Sequence, residues 1–343
     1  MPSKKVMLGH LCVPEGFVEG LVDFASEPRE RSGMRSSAES TQSSLGLVIV
    51  VYAVVAVIAG AALAPWLWYV GQYLIQSGLV PQLSGYGFGK YLNRSILLMF
   101  LCGLWPLMNH LKLASLDELG LHKNPYKIRH LIMGLSVGFV VLVVCGGIGT
   151  AMDYREFHGR MPAIGALGAA LLAALVVSPL EEGLFRGLLL KVMSRRFSVR
   201  VAMWSQALIF GVIHFLRPDA AYRHYRGEVG TWTGFELVPL IFTNLGDPAK
   251  LIGGLTTLCL VGYILADLRL RTRSLWLPIG LHAGWILGLK MIRLFTDKES
   301  APDLFYQITR IPGGVVAIAA VLVSWYVLRS YIRPMSNQEG VQQ

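Results

Sequence analysis

The chain has 343 residues, of which 54% are hydrophobic and only 15% charged. That charge density is well below the roughly 25% of a soluble globular domain, and a chain of this size cannot hide so much apolar surface in water. The net charge of +10 comes without the interleaved aromatics of a nucleic-acid groove. It fits Lys and Arg collected on one side of a bilayer, so the partner implied is lipid and not nucleic acid.

In chain order, residues 1–45 are polar and mixed in charge and end in a Ser/Thr-rich stretch, Ser36 to Ser44. They read as a mobile cytoplasmic tail with a short helix near 16–25, and they lack the layout of a signal peptide. Residues 46–334 then form a transmembrane domain, followed by a short C-terminal tail, 335–343. About eight apolar runs are long enough to count as spans. They cover about 45–70, 95–111, 128–151, 163–193, 199–216, 251–268, 275–295 and 312–328. Segments 72–83 and 235–245 read as interfacial or re-entrant. The fold class expected is therefore an all-α polytopic membrane protein whose helices enclose an intramembrane cavity. With the N-terminus inside, 19 of the 31 Lys and Arg fall on the cytoplasmic side and 12 opposite, which places both termini in the cytoplasm. Cys12, Cys102, Cys145 and Cys259 include no CxxC pair; they read as small buried hydrophobes, not as disulfides or zinc ligands.

Ionisable residues inside these spans are costly, at least about 2.5–3.5 kcal/mol each, so each one present asks for a reason. The fourth span holds Ser178-Pro179-Leu180-Glu181-Glu182-Gly183-Leu184-Phe185-Arg186. Glu182 and Arg186 are four apart and share a helix face. Glu181 points about 100° away, which leaves it without a partner at that spacing. A single ion-pair network holding both glutamates is the plainer alternative. The fifth span holds Phe210-Gly211-Val212-Ile213-His214. A lone histidine in an apolar helix is commonly a hydrogen-bonded core residue. Glu181 and His214, however, stand equally far from the middle of the turn Arg195–Arg200. An antiparallel pair of helices would bring them to one depth, about 25 Å from that turn. Facing each other, a carboxylate and an imidazole form an acid–base pair. The seventh span holds a second histidine, His282, among Gly280, Ala283 and Gly284, small residues that admit a neighbouring helix. Asp267 lies beside Arg269 and Arg271 and reads as interfacial ion pairing.

Taken in order, Glu181-Glu182-x-x-x-Arg186, Phe210-x-x-x-His214 and His282 resemble the motifs of the CPBP family, which groups CAAX prenyl proteases of type II with bacteriocin-processing enzymes as glutamic-type intramembrane proteases. The resemblance covers a protease-like core at about 163–296. It implies an endopeptidase that hydrolyses a peptide bond of a membrane-associated, possibly lipidated, protein or peptide, in a prokaryotic plasma membrane. Glu181 would activate water, and Arg186 would hold Glu182. His214 would orient the water or carry its proton, and His282 would meet the oxyanion. Phe210 and Trp285 would support the site. No cofactor is implied. Zinc held by Glu181, His214 and His282 is the rival, although no His-Glu-x-x-His helix is present. One position departs from the pattern: where the family commonly has Asn or Asp four residues after the histidine of the third motif, this chain has Ile286, which donates no hydrogen bond. Either another donor, such as Trp285 or Asn244, substitutes, or the substrate class differs, or activity is weak. The alternative is a catalytically impaired protein of the same fold that binds a membrane peptide or confers immunity.

Overall fold

The computed structural model describes residues 5–8, 11–14, 31–110, 119–121, 124–151, 155–216, 225, 227–246, 248–298 and 315–332. The helix expected near 16–25 and the tail 335–343 lie outside them. The chain divides into two compact units, Met1–Ala56 and Val57–Gln343. The first contains a short antiparallel hairpin, β1 (Lys5–Leu8) with β2 (Leu11–Pro14). It also contains the start of α1 (Arg31–Gln76), the helix that leads into the second unit.

The second unit is built from helices. After α1 and a 3-10 turn, Pro81–Gly85, come α2 (Phe88–His110) and α3 (Lys127–Ala151). The strand β3 (Arg155–Phe157) follows, and then α4 (Ile164–Glu182). The chain continues without a break through a π-helical segment, Gly183–Leu189, into α5 (Leu190–Ser194). Next are α6 (Val199–Phe215), α7 (Thr233–Leu237) and a 3-10 stretch, Val238–Gly246. The last elements are α8 (Pro248–Thr272), α9 (Trp276–Phe295), β4 (Thr296–Lys298) and α10 (Val315–Tyr331). β4 pairs antiparallel with β3.

Helices stand at each of the eight expected positions. Five segments are long and apolar enough to cross a bilayer: Val50–Gln76, Phe88–His110, Lys127–Ala151, Ile164–Ser194 and Leu251–Thr272. Val199–Phe215 and Val316–Tyr331 are apolar but shorter, and α9 ends among Lys290 and Arg293. Length and composition alone thus support five spans, not the full eight. Many large apolar side chains point outward: Val50, Val54 and Ile58 on α1, Leu171, Leu172 and Leu175 on α4, Trp204 and Leu208 on α6. Such an exterior would aggregate in water and is at home in hydrocarbon. This is an integral membrane protein.

Inside the second unit, one core gathers Leu142 of α3, Ile264, Leu265 and Leu268 of α8, Leu277, Leu281 and Trp285 of α9, and Val321 and Leu328 of α10. Another joins Ala61 and Ala64 of α1, Phe88 and Leu92 of α2, Leu237 of α7 and Ile241 beyond it. The segment read as re-entrant is thus folded back onto α1 and α2. α3 and α9 meet along a glycine face. A Cβ on Gly284 would strike the Leu135 carbonyl, and one on Gly280 the Leu131 carbonyl. From the other side, a Cβ on Gly134 would come within 2.5 Å of the Leu281 nitrogen, and one on Gly138 within 2.6 Å of the Leu281 carbonyl. Lipid gives helices no hydrophobic reason to associate, so backbone-to-backbone packing of this kind must hold them. Two indole bonds fasten α10: Trp285 Nε1 donates to Ser324 Oγ at 3.3 Å, and Trp325 Nε1 to Asp267 Oδ2 at 2.8 Å. Asp267 pairs with Arg271 at 2.8 Å as expected, while Arg269 turns to the Leu119 carbonyl at 3.5 Å. Cys145 and Cys259 are partly buried free thiols, but Cys102 is exposed on α2 and not the buried residue anticipated.

Overpacking the glycine face should be costly. Gly284→Leu is expected to destabilise the protein by about 1–3 kcal/mol or more, measured as a lower Tm in detergent. Gly165→Ala, whose new Cβ meets open space, should not lower Tm.

Candidate active site

The fourth span delivers its carboxylates near the end of α4. Pro179 lies inside the helix and cannot donate to the carbonyl one turn back. Next to it the buried Ser178 hydroxyl donates to the Ala174 carbonyl at 2.8 Å. The helix then widens into the π segment, a local form frequently found at functional sites. Phe185, Arg186, Gly187 and Leu188 of that segment are all buried.

Glu182 and Arg186 form the pair that their spacing predicts. Arg186 Nη1 donates to Glu182 Oε1 at 2.8 Å, and both side chains are fully buried. The guanidinium also lies over the Phe210 ring, 4.4 Å from its centroid, and Nη2 reaches the Gly262 carbonyl of α8 at 3.4 Å. His282 of α9 closes on the same carboxylate oxygen, its Nδ1 2.8 Å from Glu182 Oε1. A chain of three buried groups thus joins the π segment to α9.

Glu181 is placed differently. Its side chain keeps 26% of its surface exposed, against none for Glu182. Its Oε2 faces His214 Nε2 at 3.5 Å and His282 Nε2 at 3.8 Å. The equal depth read from the turn between α5 and α6 is therefore met by the side chains themselves. The His214 ring is oriented by its own helix: Nδ1 lies 2.8 Å from the Phe210 carbonyl. Phe210 is the hub of the cluster. Its ring meets Phe185 edge to face at 5.0 Å and His282 edge to face at 6.3 Å, and lies 4.3 Å from His214.

The proton positions follow from the partners. A backbone carbonyl only accepts, and so does an ionised carboxylate. Nδ1 of His214 and Nδ1 of His282 must therefore carry protons, donated to the Phe210 carbonyl and to Glu182. Each ring, when neutral, has its lone pair on Nε2, and both Nε2 atoms approach one oxygen of Glu181. Three acceptors around one point repel unless a proton donor lies among them. Water or an added proton satisfies that arrangement; an apolar side chain does not.

Not every expected residue joins the cluster. Trp285 is buried, but its indole is committed to Ser324 of α10, so it takes its place in the apolar core. Ile286 is partly buried and supplies no donor. The Asn244 side chain lies outside the described residues. Sequence reading passed over Gln206, which is fully buried on α6 and donates to the Gly262 carbonyl at 2.9 Å and the Met203 carbonyl at 3.2 Å. Its signal was a single amide in an apolar helix, one turn before Phe210 and two before His214. Among the described residues, no group of three or more His, Cys, Asp and Glu is arranged to hold a metal ion.

Residues 163–287 match the family model described as type II CAAX prenyl endopeptidase Rce1-like. No curated protein and no solved structure matches the chain. The matched segment runs from the first residue before α4 to just past His282, and so contains all three motifs and every residue of the cluster. Residues 163–287 are therefore similar to Rce1-like type II CAAX prenyl endopeptidases, consistent with the CPBP family that the motifs of this segment resemble.

Proposed function

We propose that this protein is an intramembrane endopeptidase of the CAAX type that cleaves a peptide bond with water activated by Glu181. The observation that carries this reading is the division of labour between two adjacent carboxylates. Glu182 is sealed, paired and hydrogen-bonded, while Glu181 keeps 26% of its side chain exposed and turns a buried, unpartnered Oε2 toward two imidazoles. A partly exposed carboxylate with an unsatisfied oxygen is the one of the two that can take up water beside a substrate carbonyl.

In the proposed reaction, water sits among Glu181 Oε2, His214 Nε2 and His282 Nε2. As its oxygen attacks the scissile carbonyl carbon, one water proton passes to Glu181. The carbonyl π pair moves onto its oxygen. His282, which has taken up one proton from solvent at Nε2 before the attack and is supported through Nδ1 by Glu182, donates a hydrogen bond from Nε2 to that oxyanion and keeps its proton through the cycle. When the tetrahedral intermediate collapses, the C–N bond breaks and the leaving nitrogen takes a proton from Glu181, relayed by His214. No acyl-enzyme forms, and water is the sole co-reactant. Arg186 neutralises Glu182, so that this second carboxylate orients His282 without being drawn into the chemistry. The substrate is a membrane-associated protein or peptide, and a prenylated C-terminus is the class that the matched family suggests. We place both termini in the cytoplasm on the strength of the Lys and Arg distribution, and the protein in a prokaryotic plasma membrane because of the family its motifs resemble.

Ile286 favours a second reading: a domain that binds such peptides and turns them over slowly or not at all. Loss of one oxyanion donor costs about 10²–10³ in rate, and this position offers none.

Four outcomes test these readings in proteoliposomes, with an internally quenched peptide ending in a farnesylated CAAX sequence and its unprenylated counterpart as probes. Glu181→Gln should lower cleavage by at least about 10³-fold with Tm unchanged. Cleavage at the wild-type rate would overturn the mechanism. Glu182→Ala should instead destabilise the fold by about 3–5 kcal/mol, because it leaves Arg186 buried and unpaired; its readout is Tm. Ile286→Asn should raise kcat by about tenfold or more if a missing oxyanion donor limits the rate, with KM little changed. Chelators should leave the wild-type rate as it is, and restoration of a chelated enzyme by zinc would instead support a metal site.

A further inference from the structure

Gln206 is absent from the motifs and takes no part in the proposed chemistry, yet it is the most deeply buried neutral polar side chain on α6 (0% exposed). In an apolar environment an amide is retained only where its hydrogen bonds accomplish something. Its Nε2 donates to the carbonyl of Gly262 on α8 at 2.9 Å. Arg186 Nη2 donates to the same oxygen at 3.4 Å. One backbone carbonyl therefore receives both the guanidinium that neutralises Glu182 and the amide that stands on the helix of His214. The approach is possible because residue 262 has no side chain: a Cβ there would lie 2.8 Å from Ala207 Cα, so any larger residue would push α6 off α8.

The consequences run to both imidazoles. Gln206, Phe210 and His214 follow one another at four-residue spacing and share a face of α6. Fixing Gln206 fixes the azimuth of that face, and with it the Phe210 ring under Arg186 and the His214 Nε2 opposite Glu181. On the other side, the shared carbonyl limits how far Arg186 can move. Arg186 holds Glu182 Oε1, which receives His282 Nδ1. The path from Gln206 to His282 is thus Gly262 carbonyl, Arg186, Glu182, each link at hydrogen-bond distance.

We infer that Gln206 is a positioning residue, which through the Gly262 carbonyl and Arg186 keeps His214 and His282 aimed at the same oxygen of Glu181. This role rests on the hydrolase reading above, and two readouts separate the fate of each. The variants are Q206M, which fills the same space without hydrogen bonds, and Q206E, which keeps the shape and brings a second carboxylate near Arg186. The first readout is kinetic, on whichever of the two peptides the wild type cleaves. Q206M is expected to lower kcat by about tenfold, as small misalignments of reacting groups do, with KM within about twofold and one limb of the pH–rate profile displaced. Q206E should lower kcat as well. The double variant E182Q/Q206M should lose no more than E182Q alone, since both act through one chain of contacts.

The second readout needs no turnover: ring nitrogen-15 NMR of histidine-labelled protein in nanodiscs, where the wild type should show His282 protonated at Nδ1 and Q206M should shift that resonance. Wild-type kcat, pH profile and nitrogen shifts in Q206M would overturn the role. So would a Q206M that loses activity only through a lowered Tm, with the pH profile and His282 resonance unmoved. If neither peptide is cut but the His282 resonance shifts in Q206M, the positioning contact stands and the hydrolase reading fails.

Discussion

Among the described residues Arg186 is the largest side chain that the fold encloses completely, and three neighbouring groups make that tolerable, although its Nε finds no acceptor. A guanidinium cannot shed its proton, so in a hydrocarbon-like interior it must be matched by an anion and by acceptors. Glu182 supplies the charge, the Gly262 carbonyl an acceptor, and the Phe210 ring a face of negative potential. Those three partners come from the π segment's own neighbour, from α8 and from α6. The demand of one buried cation thereby ties separate helices together, and the ring and carboxylate that satisfy it are the groups that orient His214 and His282. Stability and site geometry share the same contacts.

The second constraint is the glycine face between α3 and α9. His282 lies on α9 two residues from Gly280 and Gly284, whose missing side chains let the α3 backbone approach. α9 can neither rotate nor slide without steric conflict along this seam, so the imidazole it carries is delivered at a fixed height and angle. The indole of Trp285 ties the same helix to α10, and the indole of Trp325 ties α10 in turn to α8.

Much of this was legible before any coordinates. Charges inside apolar runs are rare because they are expensive, so Glu181, Glu182, Arg186, His214 and His282 announced themselves, and helical spacing alone paired Glu182 with Arg186. The antiparallel depth argument brought Glu181 opposite His214. What stayed hidden depends on helix azimuth, which periodicity cannot supply when every face is apolar. Trp285 sits three residues from His282 and could have turned either way; packing against Ser324 decided it. The sharing of Glu182 Oε1 between Arg186 and His282, 100 residues away in sequence, is a tertiary contact without local trace. Gln206 was visible as an oddity, but its acceptor lies on another helix. The N-terminal hairpin also escaped, because short strands in a polar stretch carry little pattern.

The orientation of the two imidazoles has a consequence for proton accounting. With Nδ1 of each ring committed to an acceptor and both rings neutral, the trio of Glu181, His214 and His282 presents nothing but electron pairs toward its centre. Adding a single hydrogen ion turns that inward surface from one that can only receive into one that can also give, with no atom displaced by more than a bond's stretch. In the hydrolysis proposed above, the state ready to split a water molecule and the state ready to release the amine would then differ by the location of one particle, and the helices around the pocket would have no need to move between them.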